Sequence, residues 1–216
     1  MDCEGADTAA DQETELDPAE ALGILEAAQK RARNELTVSH PAMLTAWGVI
    51  YLVAYGVLWL SVRGQRPFQG PTPGATSAVA IFVLVALTIT GGIVGRAASG
   101  VGGRRAVQRR MYYIALPVGY IGVFVLEAAL DHGGASRAVV ALMGASGPVL
   151  VTGIAYMVSS VIDLTWPVFA LGAWLVATAA GSAFAGPVGV WAADGLSGGL
   201  AFLATAVIVS RWPVRT

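Results

Sequence analysis

After residue 35 the chain almost lacks negative charge. Ten of its fourteen Asp and Glu lie in the first 35 residues, and the rest of the chain holds only Glu127, Asp131, Asp163 and Asp194. Charged residues make up 12% of the 216, against roughly 25% in a soluble globular protein. That deficit excludes an ordinary water-solvated surface. Histidine is nearly missing too, with His40 and His132 only, and the single cysteine is Cys3. One thiol excludes a disulfide framework and any cysteine-based metal cluster. The net charge of −1 averages an acidic start with a basic, apolar remainder. It gives no reason to expect a nucleic-acid partner.

What the chain does have is apolar length, with 56% hydrophobic residues. Six apolar segments stand out, at about 42–62, 76–95, 111–130, 138–160, 164–184 and 187–210. Each is close to the ~20 residues that cross ~30 Å of hydrocarbon as a helix. A soluble domain of this size cannot hide six such helices. The stretch from 138 to 184 is one apolar block, broken mainly by Ser159-Ser160-Val161-Ile162-Asp163. Asp163 is the expected N-cap of the fifth helix and Trp166 its interfacial anchor. Gly91 with Gly95, and Gly195 with Gly199, form small-xxx-small pairs, which let helix backbones approach closely in lipid. The fold class is therefore all-α, a polytopic transmembrane bundle of six helices.

Ahead of the spans, residues 1–16 carry six acids and no base. They cannot bury enough surface to offset ordering entropy, and form a disordered acidic tail. Asp17-Pro18-Ala19-Glu20 then supplies an N-cap, a first-turn proline and a capping glutamate. Leu22, Leu25, Ala32 and Leu36 recur at helical spacing, which predicts a short amphipathic cytoplasmic helix over 17–37. Residues 211–216 form a cytoplasmic C-terminal tail. The acidic N-terminus and the length of the first apolar stretch predict no signal peptide.

Orientation follows from the basic residues. With the N-terminus inside, the cytoplasmic segments hold Lys30, Arg31, Arg33, Arg96, Arg104, Arg105, Arg109, Arg110, Arg211 and Arg215, and the outer loops only Arg63, Arg66 and Arg137. This bias predicts a multi-pass protein of the bacterial cytoplasmic (inner) membrane with both termini in the cytoplasm.

Asp194 is the foremost candidate site residue. It follows Pro187 by seven residues, roughly 10 Å into the membrane if the helix begins there. An intramembrane carboxylate costs about 2.5–3.5 kcal/mol on insertion scales and usually faces the bundle interior. Two readings stay open: a proton- or cation-binding group inside the bundle, or an interfacial cap beside Trp191 on a helix that starts later. Glu127, Asp131 and His132 lie at the outer end of the third helix. With Asp194 they are candidates for an acidic outer vestibule, against the plainer reading of solvated charges closing a helix. One histidine is too few for a metal site, and no cofactor is expected. Arg96, Arg104, Arg105, Arg109 and Arg110 fill the loop between the second and third spans. They are candidates for anionic-lipid contact or for docking a cytoplasmic subunit. The Gly-Val-Gly-Gly at 100–103 is no phosphate loop, because no strand precedes it and no Gly-Lys-Ser/Thr follows. Pro117, Pro148 and Pro167 fall within or near the starts of spans, where proline can free backbone carbonyls.

Gly144-Ala145-Ser146-Gly147 in the fourth span resembles the GxSG motif of rhomboid intramembrane proteases. Leu196-Ser197-Gly198-Gly199 in the sixth is similar to that family's His-x-Gly-Gly segment, with Leu196 where the family has its histidine. Without a base a serine hydroxyl is a poor nucleophile, so this likeness implies at most an inactive relative, and no catalytic constellation is expected. Twelve arginines to one lysine, with abundant Ala, Gly and Val, resemble small six-helix membrane proteins of actinobacteria. The amphipathic helix before six spans also resembles the membrane subunits of ATP-binding-cassette exporters. That architectural likeness implies a permease-type transport component, a homodimer, and a cytoplasmic ATPase docking on helix 17–37 and the arginine loop. The alternative is a non-transporting membrane partner or sensor whose cytoplasmic helix binds a regulator.

Overall fold

The computed structural model describes residues 18–98, 104–163 and 165–211, and the regular elements among them are all helical. They are α1 (Pro18–Val62), α2 (Pro73–Ala98), α3 (Arg104–His132), α4 (Arg137–Asp163), α5 (Trp166–Ser182) and α6 (Gly186–Arg211). A 3-10 turn, Ala183–Ala185, joins the last two. The chain is an all-α bundle. Five stretches are long and apolar enough to cross a membrane: Pro41–Val62, Pro73–Gly92, Ile114–His132, Arg137–Val161 and Trp166–Arg211. The fifth contains both α5 and α6. The acidic tail 1–16, the glycine-rich 99–103 and residues 212–216 lie outside the described residues.

The chain divides into two compact units, residues 1–38 and 39–216. In the first, the helix begins at Pro18, and Leu22 and Ile24 are exposed. The helical assignment does not stop near Thr37, as the amphipathic pattern suggests, but continues with Pro41 inside it. A proline removes one backbone bond, the one its N–H would donate to the carbonyl four residues back. Separately, Thr45 Oγ1 donates to the Pro41 carbonyl at 2.9 Å.

Helix ends differ from expectation at two further points. Asp163 is the last residue of α4, and the N-cap of α5 is Thr165, with Pro167 in the first turn. Asp163 is therefore at a helix end but on the other side of the break. Arg104, Arg105, Arg109 and Arg110 lie within α3 and Arg96 within α2, rather than in a long loop. Their side chains lie outside the described residues. Arginine is among the better helix formers, and a helix needs no lipid around it to continue.

α1 runs antiparallel to α6, and α3 to α4, as their contacts show. Between α1 and α6 the neighbours are Gly48 with Leu203, Leu52 with Gly199, and Tyr55 with Gly195. Between α3 and α4 they are Gly119 with Val151, Val123 with Gly147, and Glu127 with Gly144. The Gly195 and Gly199 pair thus seats α1 on α6, whereas Gly91 of the other pair meets nothing within 4 Å. The α5–α6 hairpin turns at Gly186, whose φ of 77° with ψ of 175° is tolerated almost solely by glycine.

The core repeats at helical spacing: Tyr51, Tyr55, Leu58 and Val62 on α1, Ala141, Ala145 and Val149 on α4, Leu171, Leu175 and Ala179 on α5. Val190, Trp191, Phe202 and Ala206 complete it from α6. By contrast, the apolar windows of α2 and α3 bury none of their residues within the chain. Large side chains such as Ile81, Leu84, Phe124 and Val125 point outward while Thr152, Ser182, Asp194 and Thr205 are buried. Apolar outside and polar inside is the arrangement lipid demands.

Candidate functional site

Asp194 sits eight residues into α6, about 12 Å from the turn that opens it, and is 0% exposed. The structure thus decides between the two readings of this residue in favour of the bundle interior. Ser146 of α4 donates to its Oδ2 at 3.3 Å, and Ser182 of α5, 3.2 Å from Ser146, is the second hydroxyl of that shell. The other carboxylate oxygen, Oδ1, has no hydrogen-bond partner among the described residues, and neither has Trp191 Nε1 one turn earlier. Trp191 is not an interfacial anchor. It is buried, with its ring 6.1 Å from that of Tyr55.

Three connections place this cluster at one depth. Ser146 lies nine residues into α4, and Tyr55 seven residues before the end of α1, respectively about 13 and 10 Å from those ends. All three helix ends belong to the side of the bundle that carries the α1–α2, α3–α4 and α5–α6 connections. Backbone geometry alone therefore buries the carboxylate within the apolar layer.

Below it the core stays polar. Tyr55 donates to the Ala145 carbonyl at 2.8 Å, and Tyr51, stacked on Tyr55, donates to Thr152 Oγ1 at 3.0 Å. Tyr120 of α3 meets the same oxygen at 2.5 Å, and Thr152 donates to the Pro148 carbonyl at 2.7 Å. One threonine thus ties α1, α3 and α4 together. Thr152→Val would strand two tyrosine hydroxyls while keeping the side-chain volume. At roughly 0.6–1.7 kcal/mol for each interhelical hydrogen bond in lipid, a loss of about 1–3 kcal/mol is expected in reversible unfolding in mixed detergent. An unchanged midpoint would mean that the tyrosines find other partners.

The remaining candidates do not join Asp194. Glu127 and Asp131 line a separate cavity of about 300 Å³ with Phe124, Ala128, Arg137 and Val140. Arg137 pairs with Asp131 at 3.2 Å, and Gly144 makes room for Glu127: a methyl group there would come within 2.6 Å of Oε1. His132 is exposed at the end of α3. The hydroxyl partners of Asp194 come from α4 and α5, not α3, so the three acids and the histidine do not form one vestibule. The sequence pattern missed Ser182, Tyr51, Tyr55, Tyr120 and Thr152, because single hydroxyls are common in membrane helices and carry no periodic signal.

Ser146 does meet α6, as its resemblance to a nucleophilic serine suggests, but it meets Asp194 rather than a base. Leu196, where a histidine would be required, is two residues further and roughly 200° around the helix, and is exposed. Ser197 faces α5, bonded to Trp174 Nε1 at 3.0 Å and Thr178 at 2.8 Å. Comparison with protein-family models, with curated proteins and with solved structures gave no match, so the function has to be argued from the chain's own residues.

Proposed function

We propose that this chain is a permease-type transport component in which Asp194 is the group that binds a cation or proton. One observation carries the reading: a wholly buried carboxylate in a membrane helix keeps one oxygen without a partner among the described residues. No Lys, Arg or His occurs in α5, in α6 before Arg211, or in α4 after Arg137, so no side chain of those three helices neutralises it at that depth. A buried charge is ordinarily paired, and intramembrane ionisable residues mark ion and substrate paths. Supporting this, its hydroxyl shell comes from two helices, α4 and α5, that pack beside its own, so relative movement of α4, α5 and α6 would change the site. The distribution of basic residues supports insertion in a bacterial inner membrane with residues after α6 on the cytoplasmic side.

A membrane-permeant carbodiimide tests the assignment, since it reacts with carboxyl groups in apolar surroundings. In liposomes Asp194 is expected to carry the adduct, read by peptide mass spectrometry, and to be protected by the cation it binds. Modification confined to Glu127 or Asp131 would overturn the reading. A fluorophosphonate is expected to leave Ser146 unlabelled, because a carboxylate without an imidazole between is a poor activator of serine. Labelling there would favour hydrolytic chemistry instead.

A further inference from the structure

A cavity of about 330 Å³ lies between α5 and α6, lined by Trp174, Thr178, Gly181, Ser182, Ala193 and Ser197 among others. It opens outward rather than into the bundle: Trp174 is 56% exposed, and Gly181 meets nothing within 4 Å of where a Cβ would be. Trp174 stands eight residues into α5, about 12 Å from its end, so the opening faces the hydrocarbon and not water. At this depth a lipid-facing surface is normally apolar. Here it carries a linked indole N–H and two hydroxyls, with Ser197 bonded to both Trp174 and Thr178. Ser182 belongs to this groove and also to the shell of Asp194. A single small side chain therefore separates the groove from the unpartnered carboxylate.

We infer that Asp194 is reached sideways from the membrane through the α5–α6 groove, and that its ligand is an amphiphilic organic cation dissolved in the bilayer. The inference rests on the reading of Asp194 as the cation-binding group. Charge complementarity favours this occupant. Behind Ser182 stands a carboxylate with no Lys, Arg or His at its depth on α4, α5 or α6, Trp174 lines the groove with an aromatic ring of the kind that attracts cations, and the volume is that of a small organic ligand. An inorganic cation fits less well. Calcium takes six to eight oxygens and magnesium close to six, whereas the site holds the Asp194 carboxylate and two hydroxyls. A neutral lipid chain has no use for the carboxylate. Rotation of Ser182 about χ1 would bring the cationic head against Oδ1 while the apolar body stays against Ala177 and Ala185.

The probe is tetraphenylphosphonium, with neutral triphenylphosphine as its uncharged counterpart, binding to the full chain in nanodiscs by equilibrium dialysis. The wild type is expected to bind the cation at least tenfold more tightly than the neutral molecule. Asp194→Asn is expected to remove that preference. Gly181→Leu places a side chain in the groove from a Cβ position with nothing within 4 Å, and is expected to weaken cation binding at least tenfold with an unchanged unfolding midpoint. Equal binding of the two probes, or cation binding that Gly181→Leu leaves intact, would overturn lateral entry. Absence of cation binding together with carbodiimide modification of Asp194 would overturn the amphiphilic ligand but leave the carboxylate's role standing. Absence of both would remove the two readings together.

Discussion

Gly172→Val is expected to disable folding of the bundle, or to cost it about 3 kcal/mol or more. Gly172 on α5 and Gly153 on α4 lie face to face, so that backbone meets backbone. A methyl group on Gly172 would sit 2.6 Å from the Gly153 carbonyl oxygen and 2.7 Å from the Met157 nitrogen. On Gly153 it would sit 2.8 Å from the Gly172 carbonyl oxygen. Backbone atoms cannot rotate away as a side chain can, so the helices must separate. Overpacking a well-fitted interior typically costs about 1–3 kcal/mol and occasionally more, and a branched side chain against backbone belongs at the upper end. Separation would also pull Ser182 from Ser146, because these hydroxyls span the same α4–α5 interface at 3.2 Å. The control is Gly181→Val, nine residues along the same helix in open space. It is expected to retain the wild-type midpoint, or to exceed it by a few tenths of a kcal/mol, since glycine is the poorer helix former. Unfolding in a graded denaturing detergent compares the two. Equal midpoints would show that the α4–α5 contact is not what holds the hairpin in place.

Asp194→Asn is expected to separate stability from function. The substitution keeps shape and lets the amide take the Ser146 contact, but it removes a carboxylate with one oxygen unpartnered in the core. Deleting an uncompensated buried charge is often neutral or stabilising. The variant should therefore unfold no earlier than the wild type, and later by up to about 2 kcal/mol, within the 2.5–3.5 kcal/mol that insertion scales assign to such a charge. Cation-driven charge movement in proteoliposomes, read with a potential-sensitive dye across a panel of inorganic and organic cations, should fall at least a hundredfold. A variant that loses stability and keeps its current would make Asp194 a structural residue. A variant that loses neither would leave the carboxylate without a role in transport. Residues retained at a cost in stability are those that activity requires.

The two predictions concern neighbouring parts of one construction. Glycine contacts set α5 on α4, α1 on α6 and α3 on α4, and the spacing they impose determines which polar groups can meet. Gly153 and Gly172 bring the backbones close enough for serines, which have short side chains, to meet across the interface. Gly195 lets Tyr55 lie against α6, where a Cβ would come within 2.6 Å of the tyrosine Cβ. From there Tyr55 reaches the Ala145 carbonyl across the bundle.

Much of this architecture can be read residue by residue along the chain. A helix in lipid must satisfy its own backbone and expose apolar side chains, so six runs of about twenty such residues announce six helices without reference to one another. Their approximate limits and the all-α class follow from that local demand. Helix ends are less legible, as Asp163 and the arginines of α3 show, because a helix may continue into water with no change in its backbone bonding. Asp194 could be singled out in the same local way, as a carboxylate in an apolar run, but not placed. Whether it faces lipid, water or core depends on the rotation of α6 against α4 and α5, which is set by contacts between residues such as Gly195 and Tyr55 far apart in the chain. Tertiary packing then decides its partners. It turns Ser146 and Ser182 toward one carboxylate oxygen, leaves the other open, and keeps Glu127 and Asp131 on the far side of α4. A carboxylate can be seen in one helix, but its burial and its unpartnered oxygen are decided only where three helices meet.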